Sequence, residues 1–332
     1  MLETTPTPHP RFARDRLAPP RTARVVGLGH KLPERIVPNG PIAERIGVDA
    51  DWIVRRTGIR SRRYAAPDER TTDLAVAAAR RALLDADLRP ADIDLVLVAT
   101  MTPDELTPNT APLVAEELGI GVGAFDVGAA CTGWLSALST GAAQVETGRS
   151  EAVLVIGAEI LSRVTNFDDK RTASLFGDGA GAVVLSAEGE GEIGPIVLAS
   201  DGSMGDTITA THTERLLIMD GHTTFNKAVK VLADCTVEAC ERSGLTLDEI
   251  DLFVYHQANG RILRAVAEKL ELPAQRVADY VGETGNTSAA SIPLTLSLLR
   301  EDGRLRPGQR LLLSAVGAGF TWGAGVVEWG VR

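Results

Sequence analysis

The most hydrophobic positions of the chain fall into short continuous runs at residues 25–28, 95–99, 153–156, 253–255 and 311–315. Runs this short, without alternation, are the pattern of strands covered on both faces. Between them apolar residues recur at helical spacing, as at Leu74, Ala77, Ala78 and Leu84. Strands alternating with helices predict an α/β architecture built in layers.

The pattern also repeats. A helical stretch over 73–86 leads into Leu88, Ile93, Asp94 and the run Leu95-Val96-Leu97-Val98. A second, over 225–242, leads at the same spacing into Leu245, Ile250, Asp251 and Leu252-Phe253-Val254-Tyr255. Phe176-Gly177-Asp178-Gly179-Ala180-Gly181 is paralleled by Phe320-Thr321-Trp322-Gly323-Ala324-Gly325, and an apolar strand precedes each. Two matches in the same order point to duplication. The expected arrangement is two α/β halves, 23–190 and 191–332, with stacked sheets and helices between and outside them. Their boundary is placed at the charged, Gly-rich stretch 187–194.

Composition narrows the function. Aromatic residues are only 4% of the chain, so Ala, Val, Leu and Ile must fill the core. A net charge of −10 argues against a general nucleic-acid binder, which needs a basic face. Three cysteines make no disulfide framework for 332 residues, and a reducing, cytoplasmic setting fits best. No apolar run reaches the roughly 18–20 residues of a membrane span, so no membrane partner is expected. Residues 1–22, rich in Pro and Arg and without an apolar segment of signal type, read as a flexible tail.

Three places carry candidate chemistry. In Gly128-Ala129-Ala130-Cys131-Thr132-Gly133 a strand ends in small residues just before a helix expected to run to about Thr147. Cys131 at a helix N-terminus would meet free N–H groups and the macrodipole, which favour thiolate. A lone cysteine can equally be a small buried hydrophobe. His256 directly follows a buried strand, where a polar side chain can line a crevice or simply satisfy local hydrogen bonds. Asn286, in Gly285-Asn286-Thr287-Ser288, precedes an apolar helix and can be a site residue or lie near a cap. The turn Gly317-Ala318-Gly319-Phe320 can bring backbone N–H groups to a reacting oxygen or be only a tight hairpin. Cys235 and Cys240, five apart on a helix, suit packing, and the five His and three Cys show no metal-ligand spacing.

In order and spacing these segments resemble the β-ketoacyl-acyl-carrier-protein synthase III family from about Arg24 to Glu328. The likeness is carried by Trp52-Ile53-Val54-Arg55-Arg56-Thr57-Gly58-Ile59, the Cys131 turn, Phe176–Gly181, His256-Gln257-Ala258-Asn259, the 285–293 segment and Gly319-Phe320-Thr321-Trp322-Gly323. It implies a thiolase-like αβαβα fold, a homodimer, and no metal or permanently bound cofactor. By the same resemblance Cys131 takes an acyl group from acyl-CoA, and His256 and Asn286 support decarboxylation of malonyl-acyl-carrier protein. Backbone N–H groups of Cys131 and Ala318 would form the oxyanion hole. Trp52, Arg56, Gly221 and either Lys170 or Arg171 would bind CoA. Arg261, Arg264 and Lys269 would receive the acidic carrier protein. Thr107, reaching in from the partner subunit, and Trp134 would shape the acyl pocket. Thr107 stands where acetyl-selective members can carry Phe, so a pocket larger than acetyl requires is expected. The principal alternative is an acyltransferase on the same scaffold, delivering the acyl group to a hydroxyl or amine.

Overall fold

The structure is a computed structural model that describes residues 21–211 and 213–331. The expected tail at 1–22 therefore lies outside the described residues, apart from Arg21, which pairs with Glu151, and Thr22.

From the N-terminus, strand β1 (Arg24–Lys31) is followed by β2 (Arg35–Pro38), helices α1 (Asn39–Arg45) and α2 (Ala50–Thr57), and β3 (Ser61–Tyr64). Then come α3 (Thr71–Asp85), β4 (Leu95–Ala99), α4 (Thr110–Leu118), β5 (Gly123–Val127), α5 (Gly133–Glu146), β6 (Ala152–Glu159), α6 (Lys170–Ala173) and β7 (Gly179–Ser186). Five of these strands form one sheet in the order β1-β7-β6-β4-β5. The short β2 and β3 pair separately.

Residues 187–191 lead into a second sheet. Its elements are β8 (Glu192–Ser200), the ribbon β9 (Ile208–Thr209) and β10 (Ile218–Met219), α7 (Gly221–Arg242), β11 (Leu252–Tyr255), α8 (Gly260–Lys269), α9 (Val281–Thr284), α10 (Ser291–Glu301), β12 (Arg310–Gly317) and β13 (Thr321–Glu328). The order β8-β13-β12-β11 repeats β1-β7-β6-β4 strand for strand, with β4–β6 and β11–β12 parallel and their neighbours antiparallel. β5 is the addition without a counterpart and is left at an open edge.

The continuous apolar runs are explained by what covers them. In β4, Leu95, Leu97 and Ala99 face one core with α5 and α10, while Val96 and Val98 face another with α3 and α4. β12 divides likewise: Leu311 and Leu313 point to α5 and α10, and Leu312 to the core of α7 and α8. α5 and α10 thus form a middle layer between two sheets, with α3/α4 and α7/α8 outside, the expected αβαβα order. At about 25 cal/mol per Å², these doubly covered strands supply much of the burial that holds the site's scaffold rigid.

Candidate active site

The layering sets three chain turns against one cavity of about 440 Å³, lined by Cys131, His256, Asn286 and Ala318 together with Trp52, Arg56, Lys170 and Arg171. His256 arrives on the end of the buried strand β11, and Cys131 on the turn that opens α5.

Cys131 lies in a single 3-10 turn, Ala130–Thr132, that runs straight into α5. Ala130 takes φ +45°, an uncommon conformation for a side-chain-bearing residue that turns the sulfur out of the strand direction. The β12–β13 hairpin comes close from the other side: a Cβ on Gly317 would lie 2.9 Å from the Cys131 backbone N. Only glycine permits this approach, which sets Ala318 and Cys131 against the same cavity. The Thr132 hydroxyl, 2.8 Å from that of Thr321, ties the two turns together.

The expected drop in the thiol's pKa is corrected here. Burial pushes the Cys131 thiol up to about 11. Cys131 keeps partial solvent exposure and lines the cavity.

His256 leaves β11 with its backbone N–H donating to Ser314 O on β12 at 2.8 Å. The next residue, Gln257, is a buried bolt. Its amide donates to Tyr255 O and Ala278 O and accepts from the N–H groups of Tyr280 and Val281. Asn259 then caps α8 by accepting from Arg261 N–H at 2.8 Å, and its amide donates to Arg56 O at 3.3 Å. His256 itself is enclosed, with Nδ1 unpartnered, and burial pushes its imidazole down to about 3. It is therefore a neutral donor or acceptor at physiological pH.

Asn286 is held by a pair of backbone hydrogen bonds, its N–H donating to Leu175 O and its carbonyl accepting from Gly177 N–H. Its side-chain Oδ1 accepts from Ser288 N–H at 2.9 Å. A backbone donor fixes which end of the amide is oxygen, so Nδ2 is the group left to donate into the cavity.

A stability prediction follows from His256. The unfolded chain takes up a proton near 6.5, but the folded one does so only near 3. Stability from this group is complete above about 6.5 and falls by about 1.4 kcal/mol per pH unit below it. Thermal melts of wild type and His256→Gln across mildly acidic pH should diverge with that slope; parallel curves would contradict the burial of a neutral imidazole.

The remaining candidates divide. The Arg56 guanidinium lies 5.9 Å from the centre of the Trp52 ring, and both residues line the cavity, as does Gly221 at the start of α7. Arg171 is occupied by Asp169, with Nη2–Oδ2 at 2.6 Å, whereas Lys170 has no ion pair among the described residues. Arg261, Arg264 and Lys269 are all exposed on α8, and Arg261 sits 5.2 Å over the Phe225 ring. Thr107 lies apart, exposed in a separate depression with Leu106 and Arg163. Trp134 does not line the cavity: it is 1% exposed in the core between the sheets, on the same stripe of α5 as Leu138 and Val145. Residues to which the sequence reading gave no role also belong to the site. Ser288 and Met101 line the cavity, and Ile208, Leu217 and Met219 of the β9–β10 ribbon supply an apolar wall. Among the described residues there is no cluster of three metal-ligating side chains and no helix long and apolar enough to cross a membrane.

Comparison with known proteins gives the same picture. Residues 125–202 match the family model described as 3-oxoacyl-(acyl-carrier-protein) synthase III, and 240–329 match the model of its C-terminal part. The chain is 45% identical to the β-ketoacyl-(acyl-carrier-protein) synthase III of Paracoccus denitrificans over 93% of its own length and 100% of the relative's. It superposes on the 3-oxoacyl-(acyl-carrier-protein) synthase III of Aquifex aeolicus with a TM-score of 0.90 at 38% identity, covering 92% and 100% of the two chains. The priming β-ketosynthase of the R1128 polyketide pathway gives 0.90 at 38% identity, covering 94% and 98%. With the Cys131 segment, both sheets and nearly its whole length matched, the chain belongs to the β-ketoacyl-acyl-carrier-protein synthase III family.

Proposed function

We propose that the protein condenses an acyl-CoA primer with malonyl-acyl-carrier protein, making the first carbon–carbon bond of a fatty acid or polyketide. The observation that carries this reading is the convergence of Cys131, His256 and Asn286 on one cavity that Trp52 and Arg56 also line.

In the first half-reaction Cys131 sulfur attacks the thioester carbonyl. A sulfur–carbon bond to the enzyme forms and the bond to CoA sulfur breaks. The oxyanion would accept from the N–H groups of Cys131 and Ala318, each donor worth about 3–4 kcal/mol in the transition state. Trp52 and Arg56 would hold the nucleotide by stacking and charge, with Gly221 beside it. Lys170 is the better phosphate partner, because Arg171 is already engaged by Asp169.

In the second half-reaction neutral His256 and Asn286 Nδ2 donate to the malonyl thioester carbonyl. The bond to the carboxylate breaks, CO₂ leaves, and the stabilised enolate attacks the acyl carbonyl, releasing Cys131. Neither donor carries a negative charge that would repel the malonyl group. The carrier protein would dock on the exposed cations of α8, where charge complementarity sets the rate of encounter more than affinity.

A homodimer joined along β5 accords with its open edge, where Phe125 is 43% exposed. Asp126, on the same strand, caps α4 through Thr110 and Ala111 and so tethers the Thr107 loop to this edge. Thr107 would then serve the partner's acyl pocket rather than its own. With Thr there, branched or medium-chain primers fit.

Intact-mass analysis of enzyme, an acyl-CoA panel and malonyl-acyl-carrier protein tests both points. A β-ketoacyl carrier should form, faster from isobutyryl- or hexanoyl-CoA than from acetyl-CoA. An acylated enzyme beside untouched malonyl carrier would move the assignment to transfer onto a hydroxyl or amine. Fastest turnover with acetyl-CoA would remove the enlarged pocket.

A further inference from the structure

The cavity at Cys131 and the depression that holds Thr107 are neighbours. The depression, of about 580 Å³, takes apolar surface from Pro103, Leu106, Val164 and Ala210. Among the described residues Met101 alone borders both spaces. Beside it the division is made of backbone: Leu217, on the cavity side, donates its N–H to Val164 O, on the depression side, at 2.8 Å. The Met101 side chain is the part of the partition that can turn.

Met101 follows β4, the strand beside β5, from which the Cys131 turn springs. Its backbone is pinned. The Met101 N–H donates to Glu159 Oε2 at 3.1 Å, and the hydroxyl of the next residue, the buried Thr102, donates to the same oxygen at 2.8 Å. The side chain is held far less firmly. Its sulfur accepts a long hydrogen bond from the Ser288 hydroxyl at 3.7 Å. Thioether sulfur is a weak acceptor, and the unbranched methionine chain changes rotamer easily. Trp52 and Arg56 arrive instead on α2, which packs against α1 and α8 and belongs to neither sheet.

We propose that Met101 sets the length of primer the enzyme accepts. With the nucleotide held at α2 and the carbonyl at Cys131, a straight acyl chain extends along the Cys131 sheet to Met101. A short chain ends there, and a longer one reaches the depression only by displacing the thioether. The inference rests on Cys131 being the acylated residue. It deepens that reading by adding to the Thr107 loop a length limit within the enzyme's own subunit.

The test follows acylation of Cys131 by intact mass with straight-chain acyl-CoAs of rising length. Each rate is taken relative to butyryl-CoA in the same preparation, so partial misfolding of a variant cancels. Wild type should lose about tenfold or more between hexanoyl- and decanoyl-CoA. Met101→Ala should abolish that fall, and Met101→Phe should move it to shorter chains, with hexanoyl-CoA now disfavoured by about tenfold. Ala210 is exposed in the depression, so Ala210→Trp can fill that space without crowding the core. Combined with Met101→Ala, it should bring back the fall at decanoyl-CoA. A wild type that takes decanoyl- as readily as hexanoyl-CoA, or a fall that persists in Met101→Ala, overturns the proposal. A double variant that behaves as Met101→Ala alone overturns it too, because the chain then runs elsewhere. Absence of acyl-Cys131 from every acyl-CoA in wild type would instead bring down the underlying reading.

Discussion

Cys131→Ala is expected to eliminate the acyl-enzyme and to lower condensation by on the order of 10⁴-fold or more. The side chain supplies both the nucleophile and the leaving group, and no other thiol can replace it. Cys235 and Cys240 are buried in the α7 core, with Cys235 hydrogen-bonded to Ser314. The substitution removes one sulfur from a partly exposed site, so melting should stay close to wild type. Intact mass after incubation with acyl-CoA gives the reading. An acyl adduct surviving in this variant would place the nucleophile elsewhere and undo the mechanism.

Asn286→Asp should have the next largest effect, and it should fall on one half-reaction alone. The substituted carboxylate still accepts from Ser288 N–H, so the turn keeps its shape. What changes is the atom pointing into the cavity: a donor becomes a negatively charged oxygen facing a malonyl group. Losing one such donor costs about 10²–10³-fold, and like-charge repulsion adds to it. Formation of acyl-Cys131 should continue near the wild-type rate while the β-ketoacyl carrier is lost. Equal losses in both steps would mean that Asn286 acts before decarboxylation.

Much of the architecture was legible because covered strands have a distinctive texture. The runs at 95–99, 153–156 and 311–315 could be continuous only with helices on both faces, and β4, β6 and β12 have them. Cys131, His256 and Asn286 were visible for a related reason, being polar residues placed where apolar elements end. The thiol's state was not visible. A helix N-terminus can be read from order along the chain, but the burial around Cys131 involves neighbours such as Gly317 on β12, far away in sequence. Ser288, which lines the cavity, escaped for the same reason. Trp134, expected at the acyl pocket, is a core residue that does not line the cavity. With Leu138, Gly141 and Val145 it completes one stripe of α5, which marks it as core.

The repeated strand order also bears on synthesis at the ribosome. Cys131 rides on the first sheet, while His256 and Asn286 follow only with the second. At roughly 5–20 residues per second, translation leaves the cysteine without those partners for on the order of ten seconds. On the proposed mechanism a nascent chain therefore emerges with the sulfur that accepts the acyl group but without the donors that support decarboxylation. Competence arrives with the last hairpin, β12–β13, which brings Ala318 against the nucleophile.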